Sequence, residues 1–343
     1  MLDTLFNVGR FAHLSRLASR CLMPIGLLAV SAGLAACTVN PTTGRSQLNL
    51  LSREREIALG SEASPQLTEE YGGRVQDAQL QAYLEEVGQR MARHTEGENP
   101  SLPWEFTLLD SDVINAFALP GGKVFMSRGL AEKMTNEAQF AAVVGHEIGH
   151  VTARHINERM SRQMLVSGLM VGAAIGASQS DTEWIATAVP AIIGAGGQGY
   201  LLKFGRDQEL ESDALGVRYM VAEGWDPMGA VQVQQLLGET AEGGRPPEIM
   251  STHPAPQTRV DRLQRIVTGE YAYTQNNADY TLGEERFNQR FLARLAKYIP
   301  PHGHEPTVTA VMWCGVCRER AEESASAEDA LPVGAHEPGD LGS

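Results

Sequence analysis

The run His146-Glu147-Ile148-Gly149-His150 constrains this chain more tightly than any other segment. It follows Phe140-Ala141-Ala142-Val143-Val144, and Ile148 and Val151 interleave with it. That pattern predicts a largely buried helix, with Thr135 or Asn136 as its N-cap. Positions four apart share one helix face, so both imidazoles reach a single metal ion. Glu147 lies one residue round, beside such an ion, where it can take a proton from an attacking water. The bland alternative is a core helix with two satisfied histidines. His and Glu seldom cluster in an apolar run without a task, so the metal reading is preferred.

A catalytic zinc keeps three protein ligands and one open position. His155 follows His150 by five residues, which turns it about 140° away on a continuing helix. No glycine turn brings it back, and it reads as a surface or partner-contacting histidine. The better third ligand lies in Arg206-Asp-Gln-Glu209-Leu-Glu211-Ser-Asp213. Glu209 and Asp213 share a helix face, Glu211 points elsewhere, and Ala214, Leu215, Val217 and Met220 continue an amphipathic helix. Glu209 then completes the ligand set, and Asp213 accepts the other ring N–H of a ligating histidine. Alone, this segment would read as a solvated acidic face.

At these residues the chain resembles the CAAX-prenyl-protease type of zinc endopeptidase, peptidase family forty-eight of the gluzincins, and within it the bacterial periplasmic lipoprotein branch. The matching pieces span roughly residues 40 to 265 in order. They are Asn40-Pro41-Thr42-Thr43-Gly44, Asn115-Ala-Phe-Ala-Leu-Pro120-Gly121-Gly122, the HExxH helix, Arg206-x-x-Glu209-x-x-x-Asp213, and Thr252-His253-Pro254 followed by Arg259. Ser212 departs from the alanine common before the aspartate. The resemblance implies zinc on His146, His150 and Glu209, with Glu147 as catalytic base. It places His253 near the metal, as an extra ligand at rest or as an oxyanion stabiliser during turnover. It also implies an α+β, mainly helical, zincin-like metalloprotease domain with a small β-sheet beside the HExxH helix.

The N-terminus carries a second signal. Arg10, Arg16 and Arg20 precede an uncharged stretch, Cys21 to Ala36, that ends Leu34-Ala35-Ala36-Cys37. This reads as a lipobox: residues 1–36 form a lipoprotein signal peptide, and Cys37 takes the lipid. Acyl chains on Cys37 would anchor the protein to a membrane. With Thr38 in place of Asp, a Gram-negative host would carry it on the outer membrane, with the active site facing the periplasm. The whole chain carries a formal charge of −14, which disfavours nucleic acid and anionic lipid headgroups as partners.

Residues 37–50 read as a lipidated polar tether and residues 51–300 as the metallopeptidase domain. Ser52 caps a first helix through about Ser64, and Val75 to Met91 recur at helical spacing. Trp104, Phe106 and Leu108 alternate as in a strand. Val113–Leu119 and Lys123–Ser127 flank Pro120-Gly121-Gly122 as a hairpin. Asn115, Ala116 and Phe117 are the candidate edge for pairing with an extended substrate. The Gly- and Ala-rich stretches 164–177 and 184–195 are too short to span a bilayer and read as core helices or a lid. Helices are predicted after Pro227 through about Leu237 and over 254–267. The acidic tail, within 301–343, has a disordered composition, and its Cys314-Gly-Val-Cys317 reads as a local disulfide before a redox pair or, with His302 and His304, a minor zinc site.

These features converge on a membrane-anchored zinc metalloendopeptidase with misfolded or misassembled envelope proteins as substrates and the outer-membrane assembly machinery as a partner. The rival is a non-proteolytic assembly factor that binds clients through the same cleft. Glu147 argues against it, because binding zinc alone requires no base.

Overall fold

The computed structural model describes residues 37–166, 204–242, 247–253 and 256–301. The signal peptide, the Gly- and Ala-rich stretches beyond residue 166, and the tail with Cys314 and Cys317 lie outside the described residues. Among those described, no helix is long and apolar enough to cross a membrane.

The chain opens with a short antiparallel hairpin, β1 (Cys37–Val39) and β2 (Ser46–Leu48). Residues 37–50 are thus built into the fold and do not trail from it as a tether. The side chains of Asn40 and Gln47 are buried, and they donate to the carbonyls of Thr152 (3.0 Å) and Ala153 (2.8 Å). Those carbonyls belong to the end of the HExxH helix, where no intrahelical donor reaches them.

Helix α1 (Arg53–Glu70) starts at Ser52, whose hydroxyl accepts from the Arg55 amide. It runs six residues past Ser64, through Pro65. Leu59, Ala63 and Leu67 recur every four residues and are fully buried, so packing carries the helix across the proline. Asp77 caps α2 (Ala78–Ala92). Then come β3 (Glu105–Leu109), β4 (Ala116–Leu119) and β5 (Lys123–Ser127). Their sheet order is β3-β5-β4, with β3 parallel and β4 antiparallel to β5. The three-residue β4–β5 turn, Pro120-Gly121-Gly122, takes positive φ at Gly121 and Gly122, at 78° and 94°, where glycine is favoured.

Both faces of this sheet are covered. Ala116, Ala118, Val124 and Met126 point into the main core, which contains the HExxH helix. Phe117, Leu119 and Phe125 alternate onto the other face, into a smaller core with Leu59 and Leu67 of α1.

After a short α3 (Arg128–Ala131), helix α4 (Glu137–Thr152) carries the HExxH motif, and every one of its residues is buried. Asn136 caps it by accepting from the Gln139 amide at 2.9 Å. The helix stops because Arg154 adopts a left-handed φ of 55°, and α5 (His155–Val166) begins immediately after. Helix α6 (Arg206–Ala222) then packs along α4, followed by α7 (Met228–Glu242), the short α8 (Ile249–Thr252) and α9 (Pro256–Thr268). Phe287 and Phe291 close the core against Tyr83 of α2 and Phe140 of α4.

The α4–α6 contact is tight because it is made by small residues. A Cβ on Gly216 would stand 2.9 Å from the His146 amide nitrogen and 3.0 Å from the Gly145 carbonyl carbon. One on Gly149 would stand 3.0 Å from Ser212 Cα. Backbone meets backbone here, so neither partner can turn aside. Gly216→Val should destabilise the fold by about 1–3 kcal/mol through overpacking, and should also weaken metal binding by parting the two helices. Thermal unfolding and zinc titration check this; an unchanged melting temperature with unchanged affinity would contradict it.

Candidate metal centre

The stacked helices bring four buried side chains to one point. His146 and His150 come from α4, Glu209 from α6, and His253 from the turn after α8. One donor atom from each lies within 4.8 Å of all the others. The individual spacings are 3.0 Å between His146 Nε2 and His150 Nε2, and 3.2 Å between His146 Nε2 and His253 Nδ1. His253 Nδ1 lies 2.9 Å from Glu209 Oε1, and His150 Nε2 lies 3.4 Å from the same oxygen. Donors about 2.0–2.1 Å from a shared tetrahedral ion lie roughly 3.3 Å apart, so this set has the spacing of a zinc site.

Charge gives an independent test. Glu147, Glu209, Asp213 and Arg259 are all buried at the site. With neutral imidazoles, three carboxylates and one guanidinium leave a formal charge of −2 in a medium that tolerates unpaired charge poorly. A divalent cation would match that deficit, in place of the proton that the same field favours on His146. The His146 imidazole responds to the same field. Burial and Arg259 act to lower it, but the hydrogen bonds to Asp213 and Glu209 outweigh them and raise it to about 9. Burial pushes the His150 imidazole well down, which favours the neutral ring, with one nitrogen lone pair free for a metal. Burial acts to raise Glu209, yet His253 and Arg259 hold it well below the usual carboxylate range. Histidine nitrogen and carboxylate oxygen are the donor chemistry zinc takes.

The structure brings Asp213 to the far side of His146, with its Oδ1 2.9 Å from Nδ1. Arg259 grips Asp213 with Nε at 2.8 Å and Nη2 at 2.6 Å, and its Nη1 lies 2.8 Å from Glu209 Oε2. One guanidinium thus fixes two carboxylates. Glu147 lies beside the four donors. Burial pushes its carboxyl up, and neither oxygen has a hydrogen-bond partner among the described residues. The nearest basic group is His253 Nε2, 3.6 Å away.

Residues 78–267 match the profile of Peptidase family M48. The chain belongs to peptidase family M48. It is 31% identical over 268 residues to the beta-barrel assembly-enhancing protease of Escherichia coli strain K12, covering 77% of this chain and 54% of the relative. It is 29% identical over 180 residues to the mitochondrial metalloendopeptidase OMA1 of Arabidopsis thaliana, covering 52% of this chain and 34% of that one. The chain therefore spans about half the length of the bacterial relative. M48 membership and the buried His-His-Glu-His group agree on zinc as the cofactor.

Asn115, Ala116 and Phe117 are all buried. Ala116 faces the core that holds α4, but Phe117 points to the opposite core. His155 is not a surface residue: it is fully buried, with Nδ1 2.8 Å from His150 Nδ1. A continuous helix would turn it about 140° from His150, but the left-handed Arg154 replaces that rotation with a corner. Two contributors carried no assigned role in the sequence. Arg259 was visible only as a matching residue. Phe204, stacked on His150 at 3.8 Å between ring centroids, is an isolated aromatic with no motif around it. Asp213→Asn should weaken zinc binding by about 10- to 100-fold, measured by competition with a chromophoric chelator. Unchanged affinity would remove Asp213 from the site.

Proposed function

We propose that this chain is a zinc-dependent metalloendopeptidase. The observation that carries the reading is the buried Glu147 beside four metal-spaced donors on a net-negative site. In this reading His146, His150 and Glu209 hold the ion and Asp213 orients His146. Bound zinc supplies the Lewis acidity that makes water nucleophilic near neutral pH and polarises the scissile carbonyl. Glu147 takes the attacking water's proton and delivers it to the leaving amine. Its lack of competing hydrogen bonds and its burial suit both steps, since a raised carboxyl can accept a proton and hold it.

His253 supplies a latch. It sits within the donor cluster and next to Glu147, filling the place a substrate carbonyl and water would need. Its segment lies on the candidate substrate edge: the Ile249 amide donates to Ile114 O at 3.2 Å. Asn115 Nδ2 donates to Glu248 Oε1 and to the Tyr71 hydroxyl, each at 3.0 Å. In the sheet order β3-β5-β4, β4 is an outer strand. We read 247–253 as a closed cover whose release admits an extended peptide along Asn115–Phe117. A small adjoining recess, lined by Val143, Val217, Val233, Leu237 and Leu263 as well as by site residues, would have to open with the cover to receive an apolar substrate side chain.

The wider setting is proposed on the sequence and the relatives. Cys37 after a lipobox supports a lipid-anchored enzyme of the outer membrane facing the periplasm. The similarity to a beta-barrel assembly-enhancing protease supports an envelope setting, with misassembled envelope proteins as the proposed substrates and the outer-membrane assembly machinery as the proposed partner.

Glu147→Gln should cut cleavage of an unfolded protein such as casein by at least about 10²–10⁴-fold while zinc stays bound. Unchanged cleavage would overturn the protease reading. A wild type that cleaves nothing yet rescues outer-membrane assembly would favour the non-proteolytic factor. His253→Ala should raise casein cleavage by freeing the metal face; a fall would make His253 a participant in turnover.

A further inference from the structure

His150 presents Nε2 to the donor cluster, 3.0 Å from His146 Nε2. A neutral imidazole that gives its Nε2 lone pair to a metal carries its proton on Nδ1. That Nδ1–H points at His155 Nδ1, 2.8 Å away. His155 must then accept at Nδ1, a nitrogen that Ser212 Oγ also approaches at 3.4 Å. Its own proton therefore sits on Nε2, which lies 2.8 Å from Glu211 Oε2. Glu211 in turn accepts from Arg45, from Nε at 3.2 Å and Nη2 at 3.0 Å. Every proton in this chain of contacts has one consistent position.

Arg45 lies in the hairpin between β1 and β2, next to Gly44, which has φ 68°. It also reaches Glu158 of α5, at 3.2 Å from Nη2. The same hairpin covers the last carbonyls of α4 through Asn40 and Gln47. It thus holds both sides of the Arg154 corner that aims His155 at His150.

We propose that Arg45, Glu211 and His155 form a positioning relay that ends on His150, through which the hairpin following Cys37 sets the geometry of the metal centre. The proposal rests on the reading of His150 as a zinc ligand. The two histidines of the motif are then supported differently. His146 leans directly on a carboxylate, Asp213, whereas His150 leans on a carboxylate through a second imidazole. A hydrogen-bonded imidazole in that place fixes the His150 ring plane, with Phe204 stacked on its face, and strengthens its donor nitrogen. Burial pushes the His155 imidazole down, in keeping with the neutral ring this geometry requires.

The test uses the full chain, loaded with zinc or with cobalt(II) as a spectroscopic probe. Glu211→Gln and Arg45→Gln should each weaken zinc binding by about tenfold or more. Both should shift the cobalt ligand-field bands at saturating metal, a signature that a general loss of stability would not move. The double variant should match Glu211→Gln alone, because the two residues act in one chain. Arg294→Gln removes a similarly exposed arginine from its pair with Asp77, the cap of α2, and should change neither readout. Arg45 is half-exposed, so its variant remains informative should Glu211→Gln fold poorly. Zinc affinities of the relay variants within about twofold of wild type, unshifted cobalt bands, or an equal shift in Arg294→Gln would overturn the relay. Wild-type protein that takes up no zinc would overturn the metal reading itself, and the relay with it.

Discussion

Helices α4 and α6 touch backbone to backbone where Gly145 meets Gly216 and Gly149 meets Ser212. That contact puts the histidine face of one helix within coordination distance of the carboxylate face of the other. Glu209, Ser212, Asp213 and Gly216 lie at helical spacing on α6, so the residues that let the helices approach and the residues that furnish the site share one stripe. A larger side chain anywhere along it would separate donors that must stand roughly 3.3 Å apart. The sheet, α2 and α9 press the pair together from outside, and α9 adds Arg259.

Electrostatics explains why so polar a centre survives in a buried place. Carboxylates outnumber fixed cations by two, and Arg259 ties two of them at once. Removing water from charges is costly unless they are paired and hydrogen-bonded. Asp213 illustrates the balance: burial acts to raise its carboxyl, but Arg259 and His146 hold it below the usual range. A divalent ion completes the pairing. Glu147 alone among these carboxylates has no cation in direct hydrogen-bond contact, an isolation that suits the general-base role proposed for it.

Much of this was legible in the sequence. His146, His150, Glu209 and Asp213 follow from helical periodicity, because both segments form regular helices with the expected faces. The β4–β5 hairpin followed from Pro120-Gly121-Gly122, whose two glycines adopt positive φ. What stayed hidden depends on contacts between elements far apart in sequence. His155 was misplaced because a non-glycine residue, Arg154, takes the left-handed conformation, and nothing in its side chain announces that. The hairpin 37–50 looked like a tether because its residues are polar. Its polarity serves instead to satisfy the carbonyls at the end of α4. Arg259 and Phe204 reach the centre through tertiary packing alone.

X-ray absorption at the zinc edge of the metal-loaded full chain tests the central claim most directly. A centre built from His146, His150, Glu209 and His253 predicts a first shell of nitrogen and oxygen only, at about 2.0–2.1 Å, with the outer-shell scattering of imidazole rings. A sulfur shell at about 2.3 Å, as binding by Cys314 and Cys317 would give, or a first shell without imidazole scattering, would contradict the account.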